Sequence, residues 1–399
     1  MGCSSESQIN LTFGYSLSGN ETYINGSFYR GYSTPLLDKT EEVLYKWVIL
    51  FIAIFGIAGN LLNLAVLTNK SISKSMSRME MSAHIGLVAL ALSDLLFCVV
   101  VVPRSFLPIE SYVRHESVNF ILVYDAYGDA VINIFETSST WLTVSMAFSR
   151  YMAICHPFKA RLFVGRTFAR VNVCAVFVAS ILVNLPRFFS HVVGNACDAA
   201  GEYRYFKISS TLIADDVSHA YTWCHFIICV IVPFVCMAFC NIFLIKEVKA
   251  APKKIQRQTS RDAKKSDSSM HLLTLTLTLI VVFYILLVTP AELNNFAVHV
   301  IDFERNNKMG RIYNFSVALT NTIKTLNFAI NFTLYCAVNA HFRAVMKEMM
   351  CCKRKRCSES SPSAPQTEYS RVSAANERQL DVTHNSSGRR ANFNQTSVV

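Results

Sequence analysis

Apolar residues dominate seven long stretches of the chain, separated by short polar segments. They run Tyr45–Thr68, Glu80–Pro103, Asn119–Ala153, Thr167–Phe189, His219–Ile245, Leu272–Ile301 and Ile312–Val338. A bilayer core about 30 Å thick needs about 20 mostly apolar residues per helix. Each stretch meets that length, so the pattern predicts an all-α membrane protein, a bundle of seven transmembrane helices. Residues 1–44 are polar and lack the apolar core of a cleaved signal peptide, so the first helix is expected to act as signal anchor. Residues 339–352 read as a short amphipathic eighth helix. Within it Phe342, Val345, Met349 and Met350 are expected to face lipid, with Arg343 and Lys347 at the headgroups. Residues 353–399 are rich in Ser, Asn and Gln and read as a disordered tail.

Composition agrees with this pattern. Only 16% of the 399 residues are charged and 52% are hydrophobic, with a mean hydropathy of +0.31. The formal charge of +11 therefore fits basic loops beside a membrane better than a nucleic-acid surface. Counting Arg170 and Arg187 at the ends of the fourth stretch, fifteen Lys and Arg fall with the three loops on one side of the bundle and eight with the three on the other. Basic loops stay in the cytoplasm, which places the N-terminus outside and the C-terminus inside. Three glycosylation sequons, at Asn10, Asn20 and Asn25, lie on the side so assigned to the exterior. Cys351 and Cys352 adjoin the basic run Lys353–Arg356, a setting suited to palmitoylation. Most of the 13 Cys sit inside apolar runs as small hydrophobes, and no spacing suggests zinc. Motifs of a metalloprotease, a P-loop or a nucleophile elbow are absent from the sequence, which argues against an enzyme.

Polar side chains within hydrocarbon are costly and need a partner or a task. In the third stretch Asp129, Asn133, Glu136, Thr140, Thr143 and Arg150 recur at steps of three, four and seven, on one helical face. In the seventh, Asn321, Lys324, Asn327, Asn331 and Tyr335 do the same. Both stripes must turn inward. Asp94, Asn60 and Glu292 add further polar groups; the missing N–H of Pro290 is expected to kink the sixth helix, and the fifth carries Pro233.

Gly59-Asn60, Leu90-Ala91 with Asp94, Ser149-Arg150-Tyr151, Pro233, Pro290 and Asn331 with Tyr335, in that order over residues 45–350, resemble a rhodopsin-like (class A) G-protein-coupled receptor. Asn184–Phe189 and Asn327–Phe332 further resemble invertebrate neuropeptide receptors of the FMRFamide type. The chain departs from the family pattern at Ser149, Val288, Phe332 and Asp125, where the family has aspartate, tryptophan, proline and cysteine. With Asp125 in the cysteine position, Cys197 lacks its usual partner, and a Cys3–Cys197 bridge is one candidate pairing.

The resemblance implies a plasma-membrane receptor acting through heterotrimeric G proteins and arrestin. It implies coupling and activation roles for Ser149, Arg150, Tyr151, Pro290, Asn331 and Tyr335. It also implies an allosteric sodium site at Asp94, Ser139, Asn327 and Asn331, with no other cofactor. Amine receptors carry an aspartate where Ile132 stands, and opsins a lysine where Thr325 stands, so neither ligand fits. The charged set Asp129, Glu136, Glu292 and Lys324, completed by Arg104, Ile132, Asn133 and Asn295, suits a short Arg-containing peptide with an amidated terminus. One of Glu136 and Glu292 is expected to take the arginine while the other pairs with Lys324; alternatively Glu292 and Lys324 neutralise each other. The tail ending at Val399 fits a PDZ protein. A class A receptor for a non-peptide ligand and a membrane transporter remain as alternatives.

Overall fold

A computed structural model describes residues 35–69, 78–107, 115–156, 158–160, 165–197, 203–210, 212, 214–255, 261–297, 308–338 and 342–349. The glycosylation sites, Cys3, Cys351, Cys352 and the tail to Val399 lie outside them.

Seven helical rods cross the molecule. Rod α1 comprises Pro35–Val43, a π turn Leu44–Val48 and Ile49–Leu67. Rod α2 is Arg78–Val101, continued by a 3₁₀ turn Val102–Phe106, where Pro103 cannot supply an α-helical N–H. Rod α3 is Phe120–Cys155, capped by Asn119, whose Oδ1 accepts from the Leu122 amide at 2.9 Å. Rod α4 is Arg166–Asn184, ended by Pro186 in a 3₁₀ turn Leu185–Phe189. Rod α5 is Asp215–Phe226, a π turn Ile227–Ile231 and Val232–Ile255. Pro233 stands two residues past the end of that π turn, as expected where a missing N–H breaks the i to i−4 ladder. Rods α6 and α7 are Arg261–Ala297 and Lys308–Val338.

Stretches apolar enough to cross a bilayer occur in α1, α2, α4, α5 and α6. The other two, α3 and α7, carry the polar stripes, and their burial explains the difference. Rod α3 buries residues on every side, including Ser138, Ser139, Thr140, Thr143 and Arg150, and it packs against α2, α4, α5 and α6. A helix surrounded by protein can hold hydroxyls and charges that a lipid-facing helix cannot.

Where α1 meets α2 and α7, small residues set the spacing. A Cβ added at Gly56 would lie 2.6 Å from Cys98 Sγ and 3.1 Å from Ala329 Cβ. Close backbone approach through small residues is the usual source of packing energy between helices in lipid. Phe97 and Phe328 then stack at 3.7 Å between centroids, at the centre of a cluster with Ile49, Ala53, Cys98, Val101 and Ile132.

Three features depart from the sequence expectations. A two-stranded antiparallel sheet, β1 (His191–Cys197) with β2 (Tyr203–Ser209), occupies the loop between α4 and α5, and Tyr205 also bridges to His115. Rods α5 and α6 run well past Ile245 and start well before Leu272, because Lys, Glu and Ala continue a helix in water. In the helix over 342–349, Phe342 and Val345 are buried in protein rather than turned to lipid, and Phe342 lies 5.6 Å from the Tyr335 ring. Arg343 likewise serves the bundle, donating to the last carbonyls of α7, Cys336 and Ala337, at 2.8 and 2.9 Å.

Candidate functional site

Among the described residues the costly polar side chains gather in several groups between the rods. The outermost joins α2 to α3. The 3₁₀ turn after Pro103 carries Arg104, which donates to Asp129 and lies 5.4 Å from the Tyr45 ring centroid. Asn133, one turn further on, donates to the Asp129 carbonyl of its own helix at 2.7 Å. Above them, Lys207 of β2 approaches Asp125 of α3 at 3.5 Å.

The second group is a charge triad deeper in the bundle. Lys324 of α7 lies 3.0 Å from Glu136 of α3 and 2.9 Å from Glu292 of α6. Glu136 and Lys324 are 7% and 9% exposed and the Glu292 side chain 20%, so Glu136 and Lys324 are shielded from water and Glu292 is half-buried. Glu136 holds Lys324 through Oε2, while Oε1 has a comparable separation but no well-directed hydrogen bond. Thr140 and Tyr284 close the floor with a 2.7 Å contact between hydroxyls. Asn295 donates to Asn321 at 3.3 Å, near the outer end of the α6–α7 seam.

Glu136 and Glu292 thus converge on one lysine. Both hold the lysine. In a dry site each carboxylate gains more from the one ammonium than from facing apolar neighbours. Two carboxylates on one ammonium still leave one negative charge, or one proton, in excess.

The third group lies below. Asp94 of α2 is fully buried and accepts from Ser139 Oγ at 2.6 Å and Asn331 Nδ2 at 2.5 Å. Asn60 ties α1 to the same region by donating to the Phe328 carbonyl at 2.9 Å. Asn327 is buried one turn from Asn331. At the inner end, Arg150 is 2% exposed and lies in the field of Glu80, at the start of α2. Its neighbour Ser149 donates to the Ser145 carbonyl of its own helix. Tyr151 packs edge-on to Phe239 and Phe243 of α5. Tyr335 is buried with its hydroxyl unbonded.

Of the residues singled out as ligand-binding, the structure brings Glu136, Glu292 and Lys324 into one contact and sets Arg104, Asp129 and Asn133 beside each other. Ile132 faces away, into the apolar cluster around Phe97 and Phe328. The cluster of Thr137, Asn184, Arg187 and His225 between α3, α4 and α5 was missed. Asn184 and His225 break apolar runs as plainly as Asp94 does, so the rule of costly polar groups would have found them.

A sequence profile described as "7 transmembrane receptor (rhodopsin family)" matches residues 59–335. The chain is 25% identical to the FMRFamide receptor of Drosophila melanogaster, over 89% of this chain and 62% of that protein. It is 24% identical to neurotensin receptor type 1 of Mus musculus, over 79% of this chain and 77% of that protein. It is also 24% identical to the sex peptide receptor of Drosophila melanogaster, over 83% and 77% of the two chains.

Proposed function

Since the chain belongs to the rhodopsin family of seven-transmembrane receptors, we propose that it sits in the plasma membrane and answers a short extracellular neuropeptide that carries arginine and an amidated end. The observation that carries this reading is the excess of carboxylate at the triad. Glu136 and Glu292 share Lys324, and the excess acidic group, as a negative charge or as the proton that covers it, lies between the rods. A guanidinium neutralises it and can bond bidentately to a carboxylate. Receptors named for peptides among the relatives agree with a peptide ligand.

The ligand enters from outside and favours one of two helix arrangements. Glu136, Glu292 and Lys324 belong to α3, α6 and α7, so a cation inserted among them redistributes contacts between those rods. Arg150, Tyr151 and Tyr335 lie at the other end of α3 and α7, and the cleft they line is read by a heterotrimeric G protein. Asp94 and Ser139 supply oxygen ligands of the kind sodium takes, and Asn327 and Asn331 flank them. The ion, when bound, would add positive charge against Asp94 and favour the resting arrangement.

Glu136→Gln and Glu292→Gln variants, expressed with a promiscuous G protein and screened with amidated Arg-Phe peptides, test the reading. Each substitution should lower potency at least tenfold. Unchanged potency in both excludes the triad as the arginine site.

A further inference from the structure

Arg187 is a cation of the outer half with which no carboxylate among the described residues forms an ion pair. It is held on the 3₁₀ turn that Pro186 imposes at the end of α4. Its Nη2 lies 3.4 Å from His225 Nδ1, and His225 Nε2 lies 3.1 Å from Asn184 Oδ1. Asn184 Nδ2 donates to Thr137 Oγ1 at 3.1 Å and to the Ser180 carbonyl at 2.9 Å. These contacts allow one assignment of protons. The Asn184 amide spends both hydrogens, so its oxygen accepts from His225 Nε2–H. Nδ1 then carries the lone pair and accepts from Arg187. His225 is therefore a neutral ring, which orients the guanidinium without cancelling its charge. The Tyr221 hydroxyl also faces Arg187, while its own proton goes to the Val183 carbonyl at 3.0 Å. Arg187 Nε is buried and has no hydrogen-bond partner. Thr137, which accepts from Asn184, is the next residue after Glu136 on α3, so the Arg187 cluster borders the same interhelical region as the triad.

Among the described residues the outer half thus holds an excess acidic group on its α3, α6 and α7 side and, on its α4 and α5 side, a guanidinium without a carboxylate partner. A buried donor without an acceptor is costly, and a ligand that supplies the acceptor removes that cost. We propose that Arg187 binds an oxygen acceptor of the ligand, a terminal carboxylate or an amide carbonyl, at the end opposite the ligand's cation. This inference rests on the reading of the outer half as the peptide site, and it adds a second anchor of opposite sign. The ligand class becomes a bipolar one, with a guanidinium for Glu136 and Glu292 and an oxygen for Arg187.

Fragments separate the two anchors. The full-length purified receptor is heated with millimolar agmatine (cation alone), 3-phenylpropionate (carboxylate alone) or 3-phenylpropionamide (carbonyl alone). The carboxylate should raise Tm by about 2 °C in the wild type and in Glu136→Gln, and not in Arg187→Gln. Arg187→Lys keeps the charge but loses the fork, so it should retain part of the shift. That variant and the wild-type fragment comparison also serve if Arg187→Gln fails to fold. A larger shift with the carboxylate than with the amide assigns a free acid, and the reverse assigns an amidated terminus. Agmatine should act through Glu136 and be indifferent to Arg187. A carboxylate shift unchanged in Arg187→Gln overturns the inference. So does agmatine acting alone, which leaves the cation reading intact. An active carboxylate with inert agmatine supports the Arg187 anchor and sinks the cation reading. Inertness of all three fragments overturns both.

Discussion

Lys207 of β2 places its ammonium 3.5 Å from the carboxylate of Asp125 on α3. The family resemblance would place a loop-fastening cysteine at Asp125, and this chain has a carboxylate there. The hairpin over the outer site is thus held to α3 by an ion pair, assisted by the two backbone bonds between Tyr205 and His115 at 2.8 and 2.9 Å.

Such a tether is weak and salt-sensitive. Asp125 is 42% exposed, so the pair is worth at most about 1 kcal/mol. Asp125→Asn should speed amide exchange in Tyr203–Ser209 about twofold at low salt and change little at high salt. Exchange rates that ignore both the substitution and salt would refute the tether.

Charge balance at the triad makes a stability prediction with an unusual order. Replacing Lys324 by Met leaves two buried carboxylates facing each other and should cost about 3–5 kcal/mol. Glu136→Gln or Glu292→Gln alone leaves a one-to-one pair and should shift stability by under about 1 kcal/mol. The double Gln variant strands the lysine and should again be severe. Tm of the purified variants gives the order; equal losses from single and double Gln changes would show that the charges do not share one account.

Glu80 is the charged group whose field reaches Arg150 at the inner end. Ser149 supplies no charge, so a charge on α2 contributes to the restraint on Arg150. If that contact is worth about 1 kcal/mol, Glu80→Gln raises the active fraction about fivefold, read as ligand-independent signalling. Ser149→Asp should lower it. A fall in basal signalling for Glu80→Gln, at equal surface expression, would contradict this.

Sodium should weaken agonist binding in the wild type and lose that effect in Asp94→Asn, because the substitution removes the anion that Ser139 and Asn331 hold in place. Affinity measured in sodium against an organic cation of equal ionic strength tests it. Equal sodium sensitivity in the two proteins would exclude Asp94.

The polar stripes on α3 and α7 were legible because Asp129, Glu136, Lys324 and Asn331 interrupt hydrocarbon at helical spacing. Their partners across the bundle were less so, since spacing fixes a face but not the rotation of one rod against another. Glu136 and Glu292 meeting on one Lys324 is a result of that rotation. The hairpin was missed because His191–Cys197 and Tyr203–Ser209 are short and their register depends on a close approach. A Cβ at Gly194 would stand 1.9 Å from Ile208 Cδ1. Arg187 looked like a loop cation until Pro186 and His225 showed where its guanidinium is held. Phe342 was assigned to lipid because an amphipathic pattern does not say whether protein or bilayer covers its apolar face.

The most direct measurement compares peptides that end in Arg-Phe-amide with counterparts in which citrulline replaces arginine. Citrulline keeps the shape and removes the charge. In the wild type the change should cost about a hundredfold in potency, about 2.7 kcal/mol. In Glu136→Gln or Glu292→Gln most of that difference should vanish, because the surplus carboxylate is gone. A full hundredfold penalty persisting in both variants would contradict the account.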